Sequence, residues 1–145
     1  MPVNTGKPAL TRAQLWQGLL LKAENPVPFL DAMSACEVID RGENWLLRDF
    51  TLRGEEMQER VTFEPQDRVT FERTRSSAMG TILNEIVTLD DGDMGLRFTF
   101  SLEVAGLAHG SNAEAAFADR MSQSYFQGVS STLAEIRRQV VAGEL

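Results

Sequence analysis

Arg48, Glu59 and Arg73 are the residues of this chain whose types and spacing best suit work on a small molecule. Each has apolar neighbours two places away: Leu46 and Phe50 around Arg48, Met57 and Val61 around Glu59, Phe71 before Arg73. In an extended segment, residues two apart share a face. Antiparallel pairing of three such segments would set two guanidiniums beside one carboxylate on an otherwise apolar face. Inside a cavity, that group can orient an anionic or carbonyl-bearing ligand. At an open rim the same residues would be solvated ion pairs contributing about 0–1 kcal/mol. A buried unpaired arginine is costly, so Glu59 is the partner the cavity reading requires.

Turn chemistry gives an expected register. A turn at Gly54-Glu55 pairs Leu52 with Met57, Phe50 with Glu59 and Arg48 with Val61. A three-residue turn at 65–67 pairs Phe63 with Val69, Val61 with Phe71 and Glu59 with Arg73. On the next strand two registers compete. A two-residue Asp91-Gly92 turn turns Leu83, Glu85 and Val87 inward. A three-residue turn with Gly92 left-handed turns Ile82, Asn84 and Ile86 inward. A four-residue loop at 76–79 would align Asn84 with Phe71 and favours the second. Either way one polar group enters an apolar face, where a buried water or backbone neighbour would also satisfy it.

Acid–base chemistry would fall to Glu59, Glu85 or Tyr125. His109 is a lone histidine in a loop, with no partner at fixed spacing. Cys36, at a strand start, reads as a small buried hydrophobe. No Ser-His-Asp spacing, nucleophile elbow or glycine-rich phosphate loop is present. One cysteine and one histidine cannot build a Cys/His zinc site, and no cofactor is indicated.

The elements that must position these residues follow from periodicity. Thr11-Arg12-Ala13-Gln14 is a capping box opening a helix with the stripe Leu15, Trp16, Leu19 and Ala23. Asn25-Pro26 ends it. Proline at 28 suggests a second short helix from Pro28 to Met33. Period two then holds from Ala35 to Ala105. It divides into strands at 35–40, 45–53, 56–64, 68–75, 80–89 and 94–105, an antiparallel meander. The last strand alternates most cleanly, with Leu96, Phe98, Phe100, Leu102 and Val104 on one face. A long helix starts at the capping box Ser111-Asn112-Ala113-Glu114 and runs to about Val141, before Gly143. Its expected inner stripe is Phe117, Met121, Tyr125, Val129, Thr132, Ile136 and Val140, with Ser122 and Gly128 on the same face. A helix closing directly on a packed core would not carry so many small and polar residues there.

The 145 residues suit one domain, 1–145, in the α+β class. A net charge of −7, with no basic run beyond Arg137-Arg138, argues against nucleic acid and anionic membrane surfaces as partners. The N-terminus is not a signal peptide, and no apolar stretch is long enough to span a membrane. The single cysteine fits a cytoplasmic protein.

The stretches LTRAQLWQGLLLKAENPVPFL, RVTFEPQDRVTFER, GTILNEI and LRFTFSLE resemble the START-like (SRPBCC) superfamily, which includes birch-pollen-allergen-like proteins and polyketide cyclases. Within it the chain is most similar to the AtaL-like group of bacteria and fungi. The resemblance implies the helix-grip fold: a curved sheet of six to seven strands around the long C-terminal helix, with a cavity between them. Arg48, Phe50, Glu59, Phe71, Arg73, Asn84, Phe98, Phe100, Met121, Tyr125, Gly128 and Thr132 are the expected lining. The implied role is binding of a small hydrophobic molecule, as a carrier or sensor. A cyclase or dehydratase and a ligand-free interaction module are the alternatives. The superfamily normally begins with a strand ahead of the first helix. Here Val3-Asn4-Thr5 would be a stub of it, or the chain is shortened at its start. An unpaired sheet edge would favour a homodimer.

Overall fold

The computed structural model describes residues 2–4, 9–30, 32–76, 78–104 and 110–144. Helix α1 spans Arg12–Glu24, and its capping box forms as expected: the Gln14 amide donates to Thr11 Oγ1 at 3.1 Å and the Thr11 amide to Gln14 Oε1 at 2.9 Å. The helix stops at Asn25, whose amide still donates to Leu21 O. The expected second helix is a single turn instead. The amides of Phe29 and Leu30 donate to Pro26 O, and Met33 already belongs to the first strand, opposite Leu52. Sheet pairing takes Met33, and the turn serves to deliver Phe29 into the core.

Six strands follow in chain order: β1 (Met33–Arg41), β2 (Trp45–Leu52), β3 (Glu55–Glu64), β4 (Arg68–Arg75), β5 (Ala78–Thr88) and β6 (Met94–Val104). Each pairs antiparallel with the next, so the sheet order is the sequence order. Short connections leave no other neighbour within reach. Helix α2 (Asn112–Val141) closes the chain. Its last carbonyls are bonded by the amides of Gly143 and Glu144, with Gly143 at φ 75°, an αL stop of the Schellman kind.

The register differs from expectation at two hairpins, β2–β3 and β4–β5. Arg53 and Gly54 both have positive φ, 49° and 82°, so they form a two-residue turn that matches strand twist. Leu52 therefore faces Glu55, Phe50 faces Met57 and Arg48 faces Glu59 directly. The shift is by two residues, which moves partners but keeps every side chain on its face. The β3–β4 pairs Phe63–Val69, Val61–Phe71 and Glu59–Arg73 are those expected. Asn84 pairs with Val69 rather than Phe71, again a slip of two. At the β5–β6 turn Gly92 adopts φ 85° and the Leu89 amide bonds Asp93 O across three loop residues, the register that turns Asn84 inward.

The main core lies between the sheet and both helices, from Leu15, Leu19, Leu46, Val61, Val69, Leu96 and Ile136, all fully or almost fully buried. Gly18 of α1 brings the helices close: a Cβ there would collide with the side chain of Ile136 of α2. Ahead of α1, Pro2 makes a bridge to Gly95 and the Val3 amide donates to Met94 O at 3.0 Å. The N-terminal segment thus touches the β6 edge, as the stub reading expected for Val3; Thr5 lies outside the described residues.

Candidate functional site

A cavity of about 240 Å³ opens between the sheet and the middle of α2, from Met121 to Ser131. The candidates Arg48, Glu59, Phe71 and Arg73 line it from β2, β3 and β4. Asn84 and Phe98 line it from β5 and β6, and Met121 and Gly128 from α2. Phe50 does not. It lies past Arg48 toward the Arg53-Gly54 turn and packs with Met33 and Met57 in a small second cluster. Phe100 packs half-buried against the main core, and Thr132 is fully buried with no hydrogen-bond partner for Oγ1. The face of α2 explains the Thr132 miss. Met121, Ser124, Gly128 and Ser131 meet the cavity, while Val129, Thr132, Leu133 and Ile136 turn into the core. Ser122 is exposed. The side chain of Tyr125 and the whole of His109 lie outside the described residues.

The charged group ties several elements of the fold together. Arg48 Nε and Nη2 donate to Glu59 Oε1 at 3.1 and 2.6 Å. Its Nη1 donates to the α1 carbonyls of Ala23 at 2.8 Å and Lys22 at 3.3 Å. Those are carbonyls at a helix C-terminus, where a cation also meets the negative end of the dipole. The guanidinium lies between the Phe50 and Phe71 rings, 5.1 and 5.2 Å from their centroids. Arg48 thus fastens α1 to the sheet, with every nitrogen engaged. A bulge at Thr74 shifts the β3–β4 register next to Glu59, and Arg73 Nε comes 3.5 Å from Glu59 Oε2. Both carboxylate oxygens therefore face guanidiniums, one from β2 and one from β4. Glu85 faces outward and pairs with Arg97 at 3.1 Å. It is not a cavity acid.

The residue that sequence reasoning missed is Lys22. It is 5 % exposed and lines the cavity. Its Nζ donates to Asn84 Oδ1 at 2.7 Å and sits 4.5 Å from the Phe98 ring centroid and 5.4 Å from that of Phe71. Among the described residues no carboxylate is within ion-pair distance of it. Burial, then the nearby Arg48 charge, lowers its pKa from 10.5 to about 7, against a smaller upward pull from Glu59. A signal was available: Lys22 is three residues after Leu19, on the α1 stripe that faces the core. The usual habit of lysine, a wet end over an apolar stem, hid it.

Four basic side chains, Lys22, Arg48, Arg53 and Arg73, and one carboxylate, Glu59, line this cavity in an otherwise acidic chain. The remaining wall is mostly apolar or small: Leu30, Met33, Leu52, Ile82 and Gly128. At Gly128 a Cβ would come within 3.3 Å of Leu30 Cδ2, so the glycine keeps this wall open. Cys36 is half-buried on β1 outside the cavity, and burial raises its thiol pKa. Among the described residues, no His, Cys, Asp and Glu group is placed to hold a metal ion, and no helix is long and apolar enough to cross a membrane.

Solved structures share this architecture. The aromatase/cyclase ZhuI from Streptomyces sp. R1128 superposes with a TM-score of 0.69 at 16% identity, over 92% of each chain. TTHA0849 from Thermus thermophilus gives a TM-score of 0.61 at 14% identity, over 92% of each chain. Ara h 8.0201 gives 0.54 at 12% identity, over 92% of this chain and 91% of its own. At such identities the likeness is one of fold, the helix grip. No curated protein is significantly similar. Residues 1–143 match the family described as acetylaranotin biosynthesis cluster protein L. The chain is a member of this AtaL family, with the helix-grip fold.

Proposed function

We propose that the protein binds a small, largely apolar molecule between sheet and α2, with an anionic or carbonyl group of that molecule directed at Lys22, Asn84 and Arg73. The observation that carries this is the cavity's composition: an apolar wall around an excess of buried positive charge, inside a chain of net charge −7. Ligand sites are typically apolar concavities with a few convergent polar groups. Arg48 and Glu59 take part as supports, since their hydrogen-bonding atoms are engaged within the protein. A pocket beside Gly128 also weighs against a ligand-free interaction module, which would have a filled core. A carboxylate-driven cyclase finds little support, because Glu59 is held between two arginines and Glu85 is outside.

Titration calorimetry with 2-naphthoate, a planar bicyclic carboxylate, tests the reading. Wild type is expected to bind with one-to-one stoichiometry, and naphthalene without the carboxylate more weakly. Gly128→Phe, which fills the wall, should abolish the heat while its circular dichroism stays that of wild type. Equal binding to wild type and Gly128→Phe would place the probe elsewhere and overturn the proposal.

A further inference from the structure

The cavity holds a polar group that simple ligand binding does not need. An arginine at position 22 would attract an anion as well, and would stay charged. Lys22 differs in three ways that point together. Its amine is at the cavity wall, not at solvent. It is held by a neutral acceptor, Asn84 Oδ1, and not by a carboxylate that would keep it an ammonium. Aromatic rings from β4 and β6 flank it, so the stem is fixed and the nitrogen has a defined position.

We infer that Lys22 is a reactive amine that condenses with an aldehyde or ketone ligand held in the cavity, forming an imine. The inference rests on the ligand-binding reading above and names the chemical class of the ligand. In the step, the nitrogen lone pair of Lys22 attacks the carbonyl carbon and a C–N bond forms. The carbonyl oxygen becomes a hydroxyl, taking up the proton that the amine loses. The nitrogen lone pair then forms the C=N bond as the C–O bond breaks, and the departing hydroxide takes the second proton of the nitrogen and leaves as water. One carbonyl and one amine give one imine and one water, with no oxidant or reductant. Hydrolysis reverses it, so the same chemistry serves reversible capture.

The nucleophile must be the neutral amine. Near pH 7 about half of Lys22 is in that form, against roughly one part in three thousand for an ordinary lysine. The charged groups around it are Arg48 from β2, Glu59 from β3, Arg73 from β4 and Arg53 at the β2–β3 turn. The part of α2 that lines the cavity brings no charge: Met121, Ser124, Gln127, Gly128 and Ser131. Burial and then the Arg48 charge favour the neutral amine, against the smaller pull of Glu59. The cations that line the cavity also favour a carbonyl oxygen that gains negative charge as the C–N bond forms.

The chain makes the test clean, because Lys7 and Lys22 are its only lysines. The intact protein is treated with 2-naphthaldehyde and sodium cyanoborohydride, which reduces the imine to a stable amine, and peptides are mapped by mass spectrometry. At pH 7 the Lys22 peptide is expected to label roughly tenfold or more faster than the Lys7 peptide, allowing for the weaker nucleophilicity of a less basic amine. In Lys7→Arg, which leaves Lys22 as the sole lysine, that labelling should persist. An excess of 2-naphthoate should suppress it. Asn84→Asp places a carboxylate on the amine, and the pH midpoint of Lys22 labelling should then rise by about one unit or more. A lysine buried only for packing would show none of this. If 2-naphthoate binds and Lys22 labels no faster than Lys7, the inference fails while the binding reading stands. If neither probe engages the cavity, both fail.

Discussion

At the base of the grip, Leu46, Val61, Val69 and Leu96 meet Leu15, Leu19 and Ile136, and none of them is more than 2 % exposed. Two residues further along β2 and β3, Arg48 and Glu59 take the equivalent inward positions at the same 2 %. Strand geometry treats the two sets alike; water exclusion does not. Apolar side chains at the base gain about 25 cal/mol per Å² removed from water. At the cavity end the inward groups are held only because each one satisfies another: Arg48 with Glu59 and the α1 carbonyls, Lys22 with Asn84. The base is therefore stable through area, the cavity end through pairing. Helix α2 follows the same division. Among described side chains, none in 112–127 is buried, whereas Val129, Thr132, Leu133, Ile136 and Gln139 are. The cavity lies where the helix passes from one half to the other, along Met121, Ser124, Gln127, Gly128 and Ser131.

The contrast is most easily broken at Glu59. Glu59→Gln leaves Arg48 and Arg73 facing a neutral amide in a buried site, and the expected loss is about 3–5 kcal/mol of unfolding free energy in urea melts. A loss under about 1 kcal/mol would mean that water reaches the pair and that the end is a solvated rim. Next comes the base. Ile136→Ala removes a fully buried side chain packed on Gly18, and about 2–4 kcal/mol should be lost, independent of pH. Its independence of pH is the diagnostic part, since the area-driven end carries no titrating group.

Lys22 sharpens the comparison through pH. Its pKa is about 7 when folded and near 10.5 when unfolded, so between those values the unfolded chain binds more protons. Stability should accordingly rise as pH rises through this window, by up to about 1.4 kcal/mol per pH unit, and flatten below about pH 7. Unfolding free energies of wild type and Lys22→Met at pH 7 and pH 9 measure it. Wild type should gain roughly 2 kcal/mol relative to the variant. No change in the difference would show that Lys22 is charged and hydrated in the fold.

Much of this arrangement was legible beforehand, for a reason visible in particular residues. Arg48, Glu59 and Arg73 lie between apolar residues at spacing two, and alternation assigns them a face whatever the partner strand. The Arg53-Gly54 turn was harder. Placing the turn one residue later shifts the pairing by two, because a left-handed arginine beside glycine is uncommon. Faces survived and partners changed. Proline at 28 is a good helix start and predicts helix as far as Met33, but pairing with Leu52 outweighs that local preference.

Alternation, caps and turns in the sequence by themselves determined the order of the six strands, the inward faces of β2, β3, β4 and β6 and the extent of α1 and α2. They are short-range effects, set by neighbours within a few residues. The tertiary structure alone decided that Arg48 reaches the end of α1, that α2 presents Gly128 rather than Thr132 to the cavity, and that Lys22 meets Asn84 across 62 residues of chain. Charge state and reactivity depend on burial and on partners distant in sequence, and these exist only once the sheet has closed around the helix.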